Sequence, residues 1–121
     1  MNEEESVKKT YPSEPDSDGF FFASPEEEEQ GIKTRDYKNG SAVKQMTLSN
    51  GKIALIRKLK GRDFVETKKR IQNDNTLDFE TANMSVAVSI DGKQEPVEFY
   101  LDDLWQGDYA KLMIAYSGLN F

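Results

Sequence analysis

The sequence predicts a small α+β domain: a two-stranded hairpin or slightly larger antiparallel sheet with two or three helices packed on one face, preceded by a disordered acidic arm. Three observations lead there. Apolar and polar residues alternate on both sides of Asn50-Gly51, apolar residues recur at helical spacing in the stretches 62–73 and 108–118, and charge is divided unevenly along the chain. Residues 1–30 hold ten acids and two lysines, a net −8, whereas residues 31–121 hold twelve acids and fourteen bases, a net +2. The division that follows is residues 1–40 as acidic arm and linker and residues 41–121 as the folded domain. A unit that short has a marginal core and gains from a partner or from copies of itself, so a homo-oligomer is among the expectations.

In the arm, Tyr11-Pro12-Ser13-Glu14-Pro15-Asp16-Ser17-Asp18-Gly19 and Ser24-Pro25 followed by Glu26 to Glu29 combine charge, proline and serine. Such segments bury too little apolar area to offset chain entropy. Gly19-Phe20-Phe21-Phe22-Ala23 interrupts them with an aromatic cluster that either folds back on the body or docks on a partner, which makes Phe20, Phe21 and Phe22 partner-binding candidates. Residues 31–41, with Lys33, Arg35 and Lys38, read as a linker containing an Asn39-Gly40 turn.

The body opens with a hairpin. With Asn50-Gly51 as a two-residue type I′ loop, Ser49 faces Lys52, Leu48 faces Ile53 and Met46 faces Leu55, placing those four apolar side chains on the core face and Gln45, Thr47, Ala54, Ile56 and Lys58 on the other. Next, Phe64, Thr67, Lys68 and Ile71 fall at helical spacing, with Asp63 at the N-terminal end and Lys68, Lys69 and Arg70 near the C-terminal end, as the helix dipole favours. Asn73-Asp74-Asn75 ends that helix. The following stretch reads both ways: Phe79, Ala82, Val86 and Ile90 suit a helix, while Met84, Val86, Val88 and Ile90 alternate as in a strand. A helix over 76–89 is the expectation.

Asp91-Gly92-Lys93 is a turn, and residues 95–100 are extended or irregular because Pro96 cannot donate to a ladder. Asp102 and Asp103 begin a short helical turn carrying Leu104 and Trp105, and Gly107-Asp108 starts a final helix in which Tyr109, Leu112, Met113 and Tyr116 line one face. Gly118 is the expected stop, and Leu119-Asn120-Phe121 an apolar end tucked into the core or presented as a contact. Trp105, Tyr109, Leu112, Met113, Tyr116 and Phe121 join the three phenylalanines as partner-binding candidates, with burial in the core as the alternative for each residue of the α4 face.

The composition argues against catalysis. There is no cysteine and no histidine, so thiolate chemistry, disulfides and the commonest general base and metal ligand are all absent. Asp102 and Asp103 suit helix-start acids better than a catalytic pair, which needs a cleft and opposed environments. Asp74, Asp78 and Glu80 lack the alternate spacing, central glycine and twelfth-place glutamate of a calcium loop, and no glycine-rich phosphate loop, nucleophile elbow or zinc pattern occurs. The expectation is a non-enzymatic protein with no catalytic, cofactor-binding or metal-binding residues and no cofactor. Acidity disfavours a nucleic-acid partner. No apolar run approaches the roughly 18 residues of a membrane span, and Met1-Asn2-Glu3-Glu4-Glu5 is acidic where a signal peptide is basic, so the expected location is the cytoplasm and no membrane partner is implied.

The run Met46-Thr47-Leu48-Ser49-Asn50-Gly51-Lys52 leading into Leu55-Ile56-Arg57-Lys58-Leu59, the Gly61-Arg62-Asp63 helix opening, and the later Leu101-Asp102-Asp103-Leu104 and Asp108-Tyr109-Ala110-Lys111-Leu112 together resemble the small tail assembly chaperones of long-tailed phages and prophages. The resemblance covers residues 43–121; the acidic head is an addition to the family pattern. It implies a virion-assembly protein of the bacterial host cytoplasm whose partners are the tape measure protein, kept soluble by coating its apolar surface, and the tail tube protein. A second reading is an acidic-armed adaptor or inhibitor that binds a basic protein surface through Glu3 to Glu5 and Glu26 to Glu29.

Overall fold

In the computed structural model, which describes residues 9–72, 74 and 76–121, the chain forms a four-stranded antiparallel sheet in sequential order. Its strands are β1 (Lys33–Asp36), β2 (Ala42–Thr47), β3 (Ile53–Arg57) and β4 (Val88–Ile90). The helices among the described residues are α1 (Pro25–Gln30), α2 (Gly61–Ile71), α3 (Phe79–Ala87) and α4 (Gln106–Asn120), with a wide helical turn over Phe99–Asp103. The α+β class is as predicted. The sheet is larger than a hairpin because two segments read as linker and helix contribute its outer strands.

Residues 1–8 of the predicted arm lie outside the described residues; from Lys9 onward the expectation of disorder is corrected. Ser24 caps α1 by accepting the Glu27 N–H at 3.2 Å, Pro25 sits at its first position, and Gly31 ends it with a left-handed φ of 74°. Phe20 is buried, and Phe21 exchanges backbone hydrogen bonds with Thr34 of 2.9 and 2.7 Å. The predicted linker supplies β1, whose pairing of Arg35 with Val43 and Lys33 with Gln45 makes it part of the sheet. Residue 41 is therefore no domain boundary. Composition misled because the acids have distant partners: Glu27 pairs with Lys44 and Asp16 with Lys33.

The hairpin register is also corrected, by one residue. Leu48 N–H donates to Lys52 O and Gly51 N–H to Leu48 O, which closes a three-residue loop, Ser49-Asn50-Gly51, with only the glycine at positive φ (88°). That loop combines a tight turn with a left-handed bulge residue and opposes Met46 to Ala54 and Lys44 to Ile56. Met46 and Leu48 face the core as expected, but β3 presents Ala54 and Ile56 there, while Ile53 is exposed and Leu55 lies on the outer face. Because side chains alternate with a period of two, one extra loop residue exchanges the two faces of β3. The two-residue type I′ geometry occurs instead at Asp91-Gly92, where both φ values are positive, 50° and 83°.

Arg57, at the end of β3, grips Asp63 with two hydrogen bonds of 3.0 and 2.8 Å, and Asp63 also accepts the Lys60 N–H at 2.8 Å. The guanidinium holds the Asp63 carboxyl below the usual range and ties the start of α2 to the sheet. The inner side of α2 is polar: Thr67 bonds Asn83, and Arg70 reaches Ser85, Gln94 and the Glu95 carbonyl on and beyond α3. Both readings of the next stretch hold, one after the other. Asp78 caps α3 at the Thr81 N–H, the helix stops at Ala87, and the branched residues Val88 and Ile90 pair with β3, so the expected helix over 76–89 is cut short at both ends.

Asp102 and Asp103 close the wide turn rather than open a helix, and both are exposed. The preceding segment, expected to be irregular through residue 100, already enters this turn at Phe99. Tyr100 is fully buried and its hydroxyl finds no partner among the described residues. An orphaned buried hydroxyl costs about 1–3 kcal/mol, so Tyr100→Phe is expected to leave stability unchanged or raise it, as read by chemical denaturation. Burial pushes this phenol upward, so below pH 10 it is neutral in both the folded and the unfolded chain and adds no pH dependence, whereas above pH 10 the unfolded chain ionises first and stability falls as pH rises. Tyr100→Phe should accordingly flatten the alkaline limb of the stability curve.

α3 and α4 pack on one face of the sheet, and α2 packs in turn on α3. Met46, Ala54, Ile56, Val88 and Ile90 meet Met84 and Ala87 of α3 and Leu112, Ala115 and Tyr116 of α4 in one core. Gly118 is not the stop expected of it; α4 continues to Asn120, and a Cβ at position 118 would lie 3.3 Å from the Lys44 ammonium. Its missing side chain leaves room for the Lys44–Glu27 pair beneath α4.

Candidate protein-docking surface

The fifteen residues of α4 contain two that are charged at neutral pH, Asp108 and Lys111, and apolar side chains on two faces. Its polar groups are used to hold it down. The Asp108 carboxylate accepts the Ser49 N–H at 3.1 Å and the Ser49 hydroxyl at 2.6 Å, joining the first turn of α4 to the β2–β3 loop. The Tyr109 hydroxyl shares a 2.6 Å hydrogen bond with Thr81, Tyr116 accepts from Asn83, and the Asn120 side chain accepts the Leu59 N–H at 2.8 Å. Burial pushes the Tyr116 phenol up, so it stays neutral while bound to Asn83. With Leu112, Ala115 and Tyr116 turned into the core, the opposite side is left to other residues.

That opposite side runs through Gln106, Tyr109, Ala110, Met113, Ile114 and Ser117, which line a shallow, mostly apolar groove of about 550 Å³. The spacing of three and four residues places them in one stripe along the helix. Ile114 is 51% exposed, and the two residues that cap the helix, Trp105 and Phe121, are 77% and 80% exposed. Large apolar side chains displayed this openly are a mark of contact surfaces. Fifteen residues extend about 22 Å, enough to meet three to four turns of another helix.

The sequence-derived candidates divide into separate groups. For Leu112 and Tyr116, named as contact candidates with burial as the alternative, the alternative holds: both are core residues, because the helix docks on the sheet through the stripe containing them. Tyr109 and Met113 are half-buried and line the outer stripe, while Trp105 and Phe121 are exposed at the two ends of α4. Leu119 packs against the core while Phe121 stays out, its ring edge on to Tyr116 at 5.7 Å. Phe20, Phe21 and Phe22 belong to the β1 side of the fold; Phe22 lies under the Lys33 ammonium, 5.7 Å from its ring centre. Ile114 and Ala110 were missed. The signal available was a second apolar stripe, 109/110/113/114, overlapping the first.

The acid run is less free than its composition suggests. Glu27 accepts from Ala23 N–H, Thr34 hydroxyl and Lys44 ammonium, and Glu28 pairs with Lys9 at 2.6 Å. Among the described residues no three acidic, histidine or cysteine side chains gather as a metal-holding group, and no helix is long and apolar enough to cross a membrane. Comparison with protein-family models, characterised proteins and solved structures found no match to this chain.

Proposed function

We propose that this chain is a non-enzymatic assembly chaperone of the phage tail type, which covers an amphipathic helical client, the tape measure protein, and holds it for tail tube subunits in the host cytoplasm. The observation that carries the reading is the outward apolar stripe of α4, with Trp105 and Phe121 exposed at the two ends of the helix. A client helix with one apolar stripe is insoluble by that stripe alone. A second helix offering an uncharged groove along three or four turns removes it from water without demanding a deep pocket. The contact per copy is modest, which suits a partner that must leave, and repeated copies along one long client supply avidity.

The test is co-expression with a long, aggregation-prone helical tape measure protein, comparing wild type with the double variant Trp105→Ala/Ile114→Lys. Both positions are more than half exposed, so the variant should fold with an unchanged circular dichroism spectrum. Wild type is expected to keep the client soluble and the variant to release it to the pellet, with Trp105→Ala alone weakening an isolated client helix by about thirtyfold. Equal protection by both proteins would remove α4 from the client site. Loss of protection only on replacing Glu26 and Glu29 by glutamine, with the self-association of the chain unchanged, would favour the acidic adaptor reading.

A further inference from the structure

Positive charge is concentrated in one place. Residues 57–70 hold seven bases and two acids, a net +5 in a chain of net −6. The two acids are spent on Arg57 and Arg70. Among the described residues, no carboxylate comes within ion-pairing distance of Lys58, Lys60, Arg62, Lys68 or Lys69, all of them exposed. The helix also wears an apolar residue outside: its inner stripe is Asp63, Thr67 and Arg70, whereas Val65 is 52% exposed between Arg62, Lys69 and Lys68, and Phe64, half-exposed on the flank under the Lys68 ammonium, lays its ring against Phe79 at 5.4 Å. This surface is an apolar centre in a basic rim.

Its complement is on the same chain at the far margin of the helical layer. α2 packs on α3, α3 touches α4, and α4 lies over β2 and β3. α1 adjoins α4 on the other side, beside β1 and β2, where the two helices line a groove of about 180 Å³ that includes Glu26, Gln30 and Ile114. Glu26 and Glu29 are exposed there and no base pairs with them among the described residues. Helices pack about 8–10 Å apart, so the two margins are separated by well over the screening length of about 8 Å at physiological salt and cannot neutralise each other within one copy. Sheet extension is not the route to a second copy. Phe21 closes the β1 edge at Thr34, and the Lys93 carbonyl takes the Ile90 N–H at the β4 edge.

We infer that the outer face of α2 docks on the α1–α4 margin of a second copy, Val65 entering the groove while Arg62 and Lys69 meet Glu26 and Glu29. The two surfaces differ, so the contact is head to tail and propagates into a ring or an open row. It requires no client; Ile114 borders both surfaces, so the charge reversals below, which leave α4 untouched, test this contact apart from the α4 stripe.

The experiment is sedimentation velocity of the full chain at low salt and at about 1 M salt, where the screening length is about 3 Å. Larger species that grow with concentration at low salt and dissolve at high salt are expected. Arg62→Glu/Lys69→Glu should weaken association about tenfold or more, Glu26→Lys/Glu29→Lys should do the same, and the chain carrying all four reversals should associate again. Restoration excludes misfolding as the cause of the losses. A wild-type monomer at low salt across the concentration range overturns the inference. So does an assembly indifferent to both reversals, or one that persists only while copurifying nucleic acid remains undigested.

Discussion

Glu27→Ala is expected to destabilise the protein by about 3–5 kcal/mol, the loss typical of removing one member of a buried ion pair. Glu27 and Lys44 side chains are each about nine-tenths buried, and the carboxylate also takes the Thr34 hydroxyl and the Ala23 N–H. Its removal strands an ammonium beneath α4 beside Gly118 and leaves two further donors unanswered. For a domain of this size the loss corresponds to roughly 10–20 °C in melting temperature. Urea titration is the cleaner measurement, with the midpoint falling at unchanged slope if α1 and the sheet unfold together. The double variant Glu27→Leu/Lys44→Met should recover most of the loss, because a filled apolar pair carries no stranded charge. A Glu27→Ala midpoint within error of wild type would mean that the predicted arm is held by something other than this pair.

Leu112→Ala and Ile114→Ala, two positions apart on one helix, should behave as different classes of mutation. Leu112 is fully enclosed by the sheet and α3, and its truncation is expected to cost about 2–5 kcal/mol through lost burial and the cavity left behind. Ile114 loses contacts that are half solvent already, so its truncation should change stability by less than about 1 kcal/mol while reducing client binding. The pair of measurements, denaturation midpoint and client-helix affinity, should move in opposite proportions for the two variants. Leu112→Ala with the smaller stability loss would mean that α4 meets the sheet through its other stripe.

Local sequence information identified the elements whose signals are short-ranged. The α2 helix was legible because Asp63 and the Lys68-Lys69-Arg70 cluster sit at the ends where the dipole favours them. The start of α4 followed from Gly107-Asp108, and Met46 and Leu48 were placed on the core face by alternation alone. The β3 face was missed because Asn50-Gly51 fits both a two-residue and a three-residue loop. The choice was made by distant groups: Ser49 meets Asp108, and Ala54 and Ile56 fill the core. The contact surface was half legible for a similar reason. An apolar stripe on α4 was visible, but two overlapping stripes were present and only packing decides which one the sheet covers.

From sequence alone came the α+β class, the positions of α2 and α4, the hairpin and the separation of acidic and basic segments, all of which rest on interactions within about four residues or on composition. Tertiary structure decided that β1 and α1 belong to the fold, that β3 presents Ala54 and Ile56 inward, and that Trp105, Ile114 and Phe121 stand outside. Those outcomes depend on partners 17 or 59 positions away, as in Lys44 with Glu27 and Ser49 with Asp108. A charge or an apolar stripe has no fixed side until the chain has brought its partner within reach.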